Sequence, residues 1–208
     1  MPELRPGAPA LAREVRPLVA SVGVWAAVWA ASHGGALPAA AGTAVFLAAA
    51  AWWDVRALRI PNALTLPALA AVLLWAGIHG GWGGAGAALG AAAAALALLL
   101  GPFAWGWLGA GDVKALAVLA ALWGLEVFLP ALWWMFAVGG AGALLVLAAR
   151  GELTDLMQRW GRSLWLSLAS RRLYYVAPAT GSAARSGLPF ALAMGLGSAA
   201  YGWWGAPW

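Results

Sequence analysis

The sequence predicts an all-α polytopic transmembrane bundle of about seven spans, with one amphipathic helix lying in the cytoplasmic membrane interface. Three observations predict it. Hydrophobic residues make up 64% of the 208 and charged residues only 9%, far below the ~25% charged residues of a soluble domain. The apolar residues fall in successive long runs divided by short glycine-rich or polar connections, as membrane-crossing helices do. All 12 lysines and arginines sit in, or within two residues of, alternate connections, the signature of loops held on the cytoplasmic side. The expected organisation is a cytoplasmic N-terminal segment, 1–17, and a single integral-membrane domain, 18–208.

Composition also excludes chemistry. With no cysteine in the chain, disulfides, thiol nucleophiles and cysteine-ligated zinc are ruled out. The net charge of +5 reads as an orientation signal in so apolar a chain, and no nucleic-acid partner is expected. No phosphate-binding glycine loop and no metal-ligand spacing is present, so no cofactor and no metal is predicted.

Taken in order, Met1–Pro17 carries Arg5, Arg13 and Arg16 ahead of a first apolar stretch, Leu18–Ser32. That stretch reads as a retained span, with a cleaved signal peptide as the alternative. Ser32–Gly35 turns the chain into a second span, Leu37–Trp53, which Asp54 closes. Asp54–Asn62 is a short polar loop with Arg56 and Arg59, and Asn62 after Pro61 reads as the N-cap of a third span, Ala63–His79. Gly80–Gly84 is the next turn and Ala85–Trp107 the fourth span. Its Gly86 and Gly90 would let a neighbouring helix approach closely.

The fifth span, Asp112–Trp123, falls short of the ~20 residues a full crossing needs. It is expected to be tilted, extended into its flanks or buried among other helices. After Gly124–Glu126 comes the sixth, Phe128–Ala149. In the polar stretch Arg150–Gly187, Leu153, Leu156, Met157, Trp160, Leu164, Trp165 and Leu168 recur at helical spacing opposite Arg159, Arg162 and Ser163. This is the pattern of an interfacial helix, or of a packed cytoplasmic one. Leu188–Tyr201 is the last span, with Trp203, Trp204 and Trp208 as an aromatic belt.

Two acids stand apart. Asp112 opens an apolar helix directly after Gly109-Ala110-Gly111, and Asp54 closes another. By the distribution of basic residues both lie at the cytoplasmic membrane boundary. An ionisable residue at membrane depth costs about 3 kcal/mol or more and is usually there for function. Facing carboxyls can share one proton, because like charges so close do not both ionise cheaply. The ionised member takes a proton from water and the protonated member donates to a carbonyl oxygen, which is what peptide hydrolysis needs. Helix dipoles predict Asp112, at a helix N-terminus, as the base and Asp54, at a C-terminus, as the acid.

Each acid taken alone is also explained as a helix-capping or solvated end-of-helix residue. It is the pair that points to an aspartyl protease. A different class of function remains open, an ion-coupled carrier or assembly scaffold in which the two acids bind a cation or hold helices together. Transport acids, however, tend to lie near the bilayer midplane.

These residues carry a family resemblance. Trp53-Asp54-Val55-Arg56, running into Arg59-Ile60-Pro61-Asn62-Ala63-Leu64-Thr65, resembles the first catalytic block of type IV prepilin peptidases. Gly109-Ala110-Gly111-Asp112-Val113-Lys114 is similar to their Gly-x-Gly-Asp-x-Lys block, and Gly187-Leu188-Pro189-Phe190-Ala191-Leu192 to the Pro-Phe element of their last helix. The resemblance spans about 37–197. It implies a multi-pass enzyme of the inner membrane that removes the leader of prepilin-like proteins at the cytoplasmic face, with Asp54 and Asp112 as the dyad. The chain has neither the paired Cys-x-x-Cys motifs nor the N-terminal domain of the bifunctional members. It looks like the small tight-adherence or Flp-type peptidases, and N-methyltransferase activity is not expected. Presenilin-like proteases share Gly-x-Gly-Asp, but the Asp54 block lacks their Tyr-Asp pair and no Pro-Ala-Leu element stands near the C-terminus.

The remaining candidates shape the site or bind substrate. Gly109 and Gly111 allow close approach to Asp112. Lys114 contacts an acidic substrate group or lipid phosphate, or snorkels to the interface. Arg56 reads as an orientation determinant, Asn62 as a cap, and Pro189 as part of the third block. His33 and His79 fall on the side opposite the dyad. Membrane lipid and prepilin leader peptides are the expected partners, and a homo-oligomer is allowed.

Overall fold

The computed structural model describes residues 37–172, 174–178, 181–182 and 189–204. The N-terminal segment, the Leu18–Ser32 stretch with its signal-peptide alternative, His33, Gly187, Leu188 and Trp208 lie outside them. Among the described residues the architecture is all-helical: α1 (Leu37–Ala57), α2 (Asn62–Ala104), α3 (Ala110–Ala149), α4 (Leu153–Ser170) and α5 (Phe190–Trp204). By length and composition α2 and α3 suffice to cross a membrane.

Both long helices are interrupted by one glycine. Gly81 has φ 60°, ψ −154° and Gly124 φ 73°, ψ 164°, a region only glycine enters readily. At Gly81 the chain doubles back: a Cβ at Gly84 would overlap the Ala76 carbonyl, and one at Gly77 would stand 3.7 Å from the Ala85 Cβ. A straight helix would hold the residues of either pair roughly 12 Å apart. The sequence suggests turns at 80–84 and 124–126. The structure narrows each to a single residue, since the flanking glycines and apolar residues are tolerated in helix.

Residues 37–138, together with 189–204, form one compact unit. Its core gathers Phe46, Leu47 and Ala50 of α1, Leu116 and Leu119 of α3 before Gly124, Phe128 and Met135 after it, and Met194 of α5. Segment 110–123 extends roughly 21 Å, short of a ~30 Å hydrocarbon core. Every residue from Ala115 to Ala121 is buried, so its shortness is met by protein on all sides rather than by lipid. A helix apolar all round belongs in such a position.

Close packing rests on glycine at Gly197, where a Cβ would overlap the Met135 backbone. It does not use Gly86 or Gly90, which have nothing within 4 Å of where a Cβ would stand. In that stretch the buried face is made instead by Ala88, Ala91, Ala92 and Ala95, so the expected close approach at the two glycines is not made among the described residues.

Gly139–Leu188 form the second unit. Gly151 (φ 69°) turns the chain and α4 follows as the periodicity predicts. One side of it is covered from within, since Ser167 Oγ accepts the Tyr174 N–H (2.9 Å) and Ser163 Oγ the Val176 N–H (3.0 Å). No residue of α4 is buried, and Met157, Trp160, Leu164, Trp165 and Leu168 are all exposed. Arg171 (φ 53°) ends the helix in the left-handed conformation.

Candidate active site

Asp54 lies inside α1 rather than beyond its end. The helix continues to Ala57, the Leu58 N–H donates to the Asp54 carbonyl at 2.7 Å, and Leu58 (φ 48°) breaks it. The side chain is only 4% exposed. Its Oδ2 accepts the Ala191 N–H at 2.8 Å, in the first turn of α5. Asp54 therefore meets the positive end of a second helix. The expectation that a C-terminal dipole alone acts on it is corrected: both acids sit at helix N-termini, one in sequence and one in space. What separates them is exposure, Asp54 being buried and Asp112 half-buried.

Asp112 occupies the third position of α3. It reaches back so that Oδ2 accepts the Gly109 N–H at 3.1 Å, the acid half of a capping box, while the Val113 N–H donates to the Gly109 carbonyl at 3.1 Å. The glycine on either side of Ala110 has a separate task. A Cβ at Gly109 would stand 2.9 Å from Asp112 Oδ2, and one at Gly111 would stand 2.8 Å from the Ile60 carbonyl oxygen and 3.1 Å from its nitrogen. Gly111 thus lets the 58–61 connection close against the start of α3. The two carboxyls are near enough for the charge of Asp54 to act on Asp112.

Between these elements opens a cavity of about 610 Å³. The start of α3 (Gly109 to Asp112) and Lys114 form one wall; Trp53, Ala57 and Leu58–Asn62 form the other. Lys114 Nζ donates to Asn62 Oδ1 at 2.8 Å, joining the first turns of α2 and α3 across the mouth. This revises two expectations. Lys114 shares the cavity with Asp112 although it is two residues on. Asn62 is not the N-cap: Pro61 holds that position with extended backbone and no side-chain bond. From the first helical position the Asn62 carboxamide instead meets a cation, a stronger partner than a backbone amide.

Of the other candidates, Asp54 is not itself among the lining residues, although its neighbour Trp53 is. Arg56 is exposed and stacks over Trp52 at 3.6 Å. Pro189 directly precedes α5, and its carbonyl accepts the Leu192 N–H at 3.3 Å. His79 bonds the Trp75 carbonyl through Nδ1 at 2.9 Å.

A family model described as the type IV leader peptidase family matches residues 41–149, just over half of the chain. The chain belongs to that family. No curated protein and no solved structure matches it. The match holds both candidate acids, both glycines, Arg56, Asn62 and Lys114; Pro189 falls beyond it. Type IV leader peptidases are membrane-associated proteases, and the apolar α2 and α3 agree with that setting.

Three features of this leader peptidase were not legible in its sequence. The Ala191 N–H on Asp54 is a backbone group with no side-chain signal. Ile60 shows as a contact of Gly111 only once the helices are paired. Thr65 is 1% exposed with an Oγ1 that finds no partner among the described residues; the run Pro61-Asn62-Ala63-Leu64-Thr65 flags the residue, but nothing in it flags the missing bond.

Proposed function

We propose that this chain is a membrane aspartyl endopeptidase that removes the leader of prepilin-like proteins at the cytoplasmic face of the inner membrane. The observation that carries the reading is Asp112, held by the Gly109 N–H at the wall of a solvent cavity, with the buried Asp54 within range of its charge. The two carboxyls share one proton. Asp112, which faces the cavity, is the base, and Asp54 is the acid.

A water between them loses a proton to Asp112 as its oxygen attacks the scissile carbonyl, and Asp54 donates its proton to the carbonyl oxygen. Collapse of the tetrahedral intermediate then breaks the C–N bond. Asp112 passes its proton to the leaving amine, and Asp54 recovers its own from the intermediate's hydroxyl. The glycines at 109 and 111 keep the substrate backbone's path to Asp112 open.

The proposed topology is about seven spans in one integral domain, 18–208, after a cytoplasmic segment, 1–17. The single-glycine breaks support it by dividing α2 and α3 into four segments, 62–80, 82–104, 110–123 and 125–149. In this reading α4 lies in the cytoplasmic interface with its apolar side in lipid. Its exposed Trp160, Leu164, Trp165 and Leu168 beside Arg159 and Arg162 fit an anionic membrane surface. The partners are prepilin leader peptides and lipid, and the reaction stops at hydrolysis, with no methyl transfer.

The test is co-expression with a candidate prepilin, read as the size shift on leader removal. Asp54→Asn and Asp112→Asn should each lower cleavage on the order of 10³-fold or more at unchanged membrane abundance. Cleavage by either variant at wild-type rate would falsify the dyad.

A further inference from the structure

We propose that the N-terminus of α5 is a positioning element for Asp54, acting through the Ala191 main-chain N–H. The inference rests on the dyad reading and extends it to a helix on which the dyad's sequence blocks are silent.

Asp54 is buried, and a buried carboxylate needs its lone pairs satisfied. Among the described residues its side-chain hydrogen bond is the one from Ala191, 137 positions along the chain. That bond occupies Oδ2 and restrains the carboxyl, so that in the dyad reading Oδ1 is the oxygen left to act on water and substrate.

The start of α5 is built so that this donor is available and fixed. Pro189 brings no N–H of its own, and its carbonyl takes the Leu192 N–H. The Ala191 N–H, with no intrahelical acceptor in the first turn, is turned on Asp54 instead. Two contacts with α3 hold the helix in register. The Phe190 ring lies 5.6 Å from that of Phe136, and Gly197 seats against the Met135 backbone. Both anchors belong to the same compact unit as Asp54. A reacting group held by one long-range bond loses much of its turnover if the donor shifts, since a misplacement near 1 Å can cost about 100-fold.

The test removes the donor without touching a side chain. Ala191 is replaced by lactic acid through nonsense suppression, which exchanges the N–H for an ester oxygen, and the same exchange at Leu192 (as lactic acid's leucine analogue) removes an ordinary first-turn bond. The Ala191 ester should lower kcat on the order of 10–100-fold with KM unchanged, while the Leu192 ester keeps the wild-type kcat. Equal kcat values for the two esters would overturn the proposal.

Should the Ala191 ester fail to accumulate, Pro189→Gly decides alone, because it loosens the helix start while keeping every donor. A fall in kcat at unchanged KM and abundance sustains the proposal, and an unchanged kcat overturns it. Failure of the underlying peptidase reading looks different: Asp54→Asn would then cleave as well as the wild type.

Discussion

At the scale of single residues, the site is set by how closely main chain can come to main chain. Gly111→Ala would place a methyl 2.8 Å from the Ile60 carbonyl oxygen, and that nearest atom is backbone, which cannot rotate aside. The 58–61 connection must then move off the start of α3. Cleavage is expected to fall on the order of 10–100-fold with little loss of membrane abundance, measured in the co-expression assay beside an abundance blot. Gly42→Ala, where nothing lies within 4 Å, serves as the silent comparison. The Lys114–Asn62 bond makes a second prediction. If it latches the cavity mouth as one unit, Asn62→Ala and Lys114→Ala should not add, and their double-mutant cycle should give a coupling of about 0.5–3 kcal/mol in kcat/KM. Additive losses would mean that the two residues act separately. The sequence marked both residues but assigned Asn62 to a cap. The pairing depends on the first turns of α2 and α3 lying side by side, and no local pattern encodes that.

At the scale of elements, hydrophobic periodicity located the helices, while their ends went astray where a side chain answered to tertiary partners. Asp54 looks like the end of a helix because it is the first charge after an apolar run. It lies within α1 because α5 supplies the compensating N–H. The fifth span looked too short for a bilayer, and its burial from Ala115 to Ala121 explains how a short helix is accommodated. In α4 the periodicity marks a helix but does not decide which side is covered: Leu156, Arg159, Ser163 and Ser167 are half-buried, with the two serines accepting the Tyr174 and Val176 N–H groups, while Trp160 and Trp165 stay exposed. The proposed interfacial placement predicts an outcome that the cysteine-free chain makes easy to read. An environment-sensitive dye on Leu164→Cys should report an apolar surrounding in anionic vesicles, and the same dye on Arg159→Cys an aqueous one. Aqueous spectra at both positions would remove α4 from the membrane surface.

At the scale of the whole molecule, charge asymmetry and the glycine breaks carry independent information and point to one topology. Asn62 and Gly80 bound a segment rising roughly 28 Å, close to the ~30 Å of a bilayer core. The break at Gly81 then returns the chain, as the close approach of Gly84 to the Ala76 carbonyl requires. One end of this hairpin carries Arg59 and the cavity; the other carries Trp82, which is 96% exposed, with no lysine or arginine in the sequence between Arg59 and Lys114. In the proposed topology the positive-inside rule turns the cavity end to the cytoplasm, where an unprocessed leader would present itself. The expectation follows directly. In intact spheroplasts a membrane-impermeant maleimide should label Trp82→Cys and spare Arg59→Cys, and in inverted vesicles the preference should reverse. Labelling of both positions from one side would mean that 62–80 does not cross the membrane. The two acids would then have lost the boundary that places them beside a substrate's leader, whatever their chemistry.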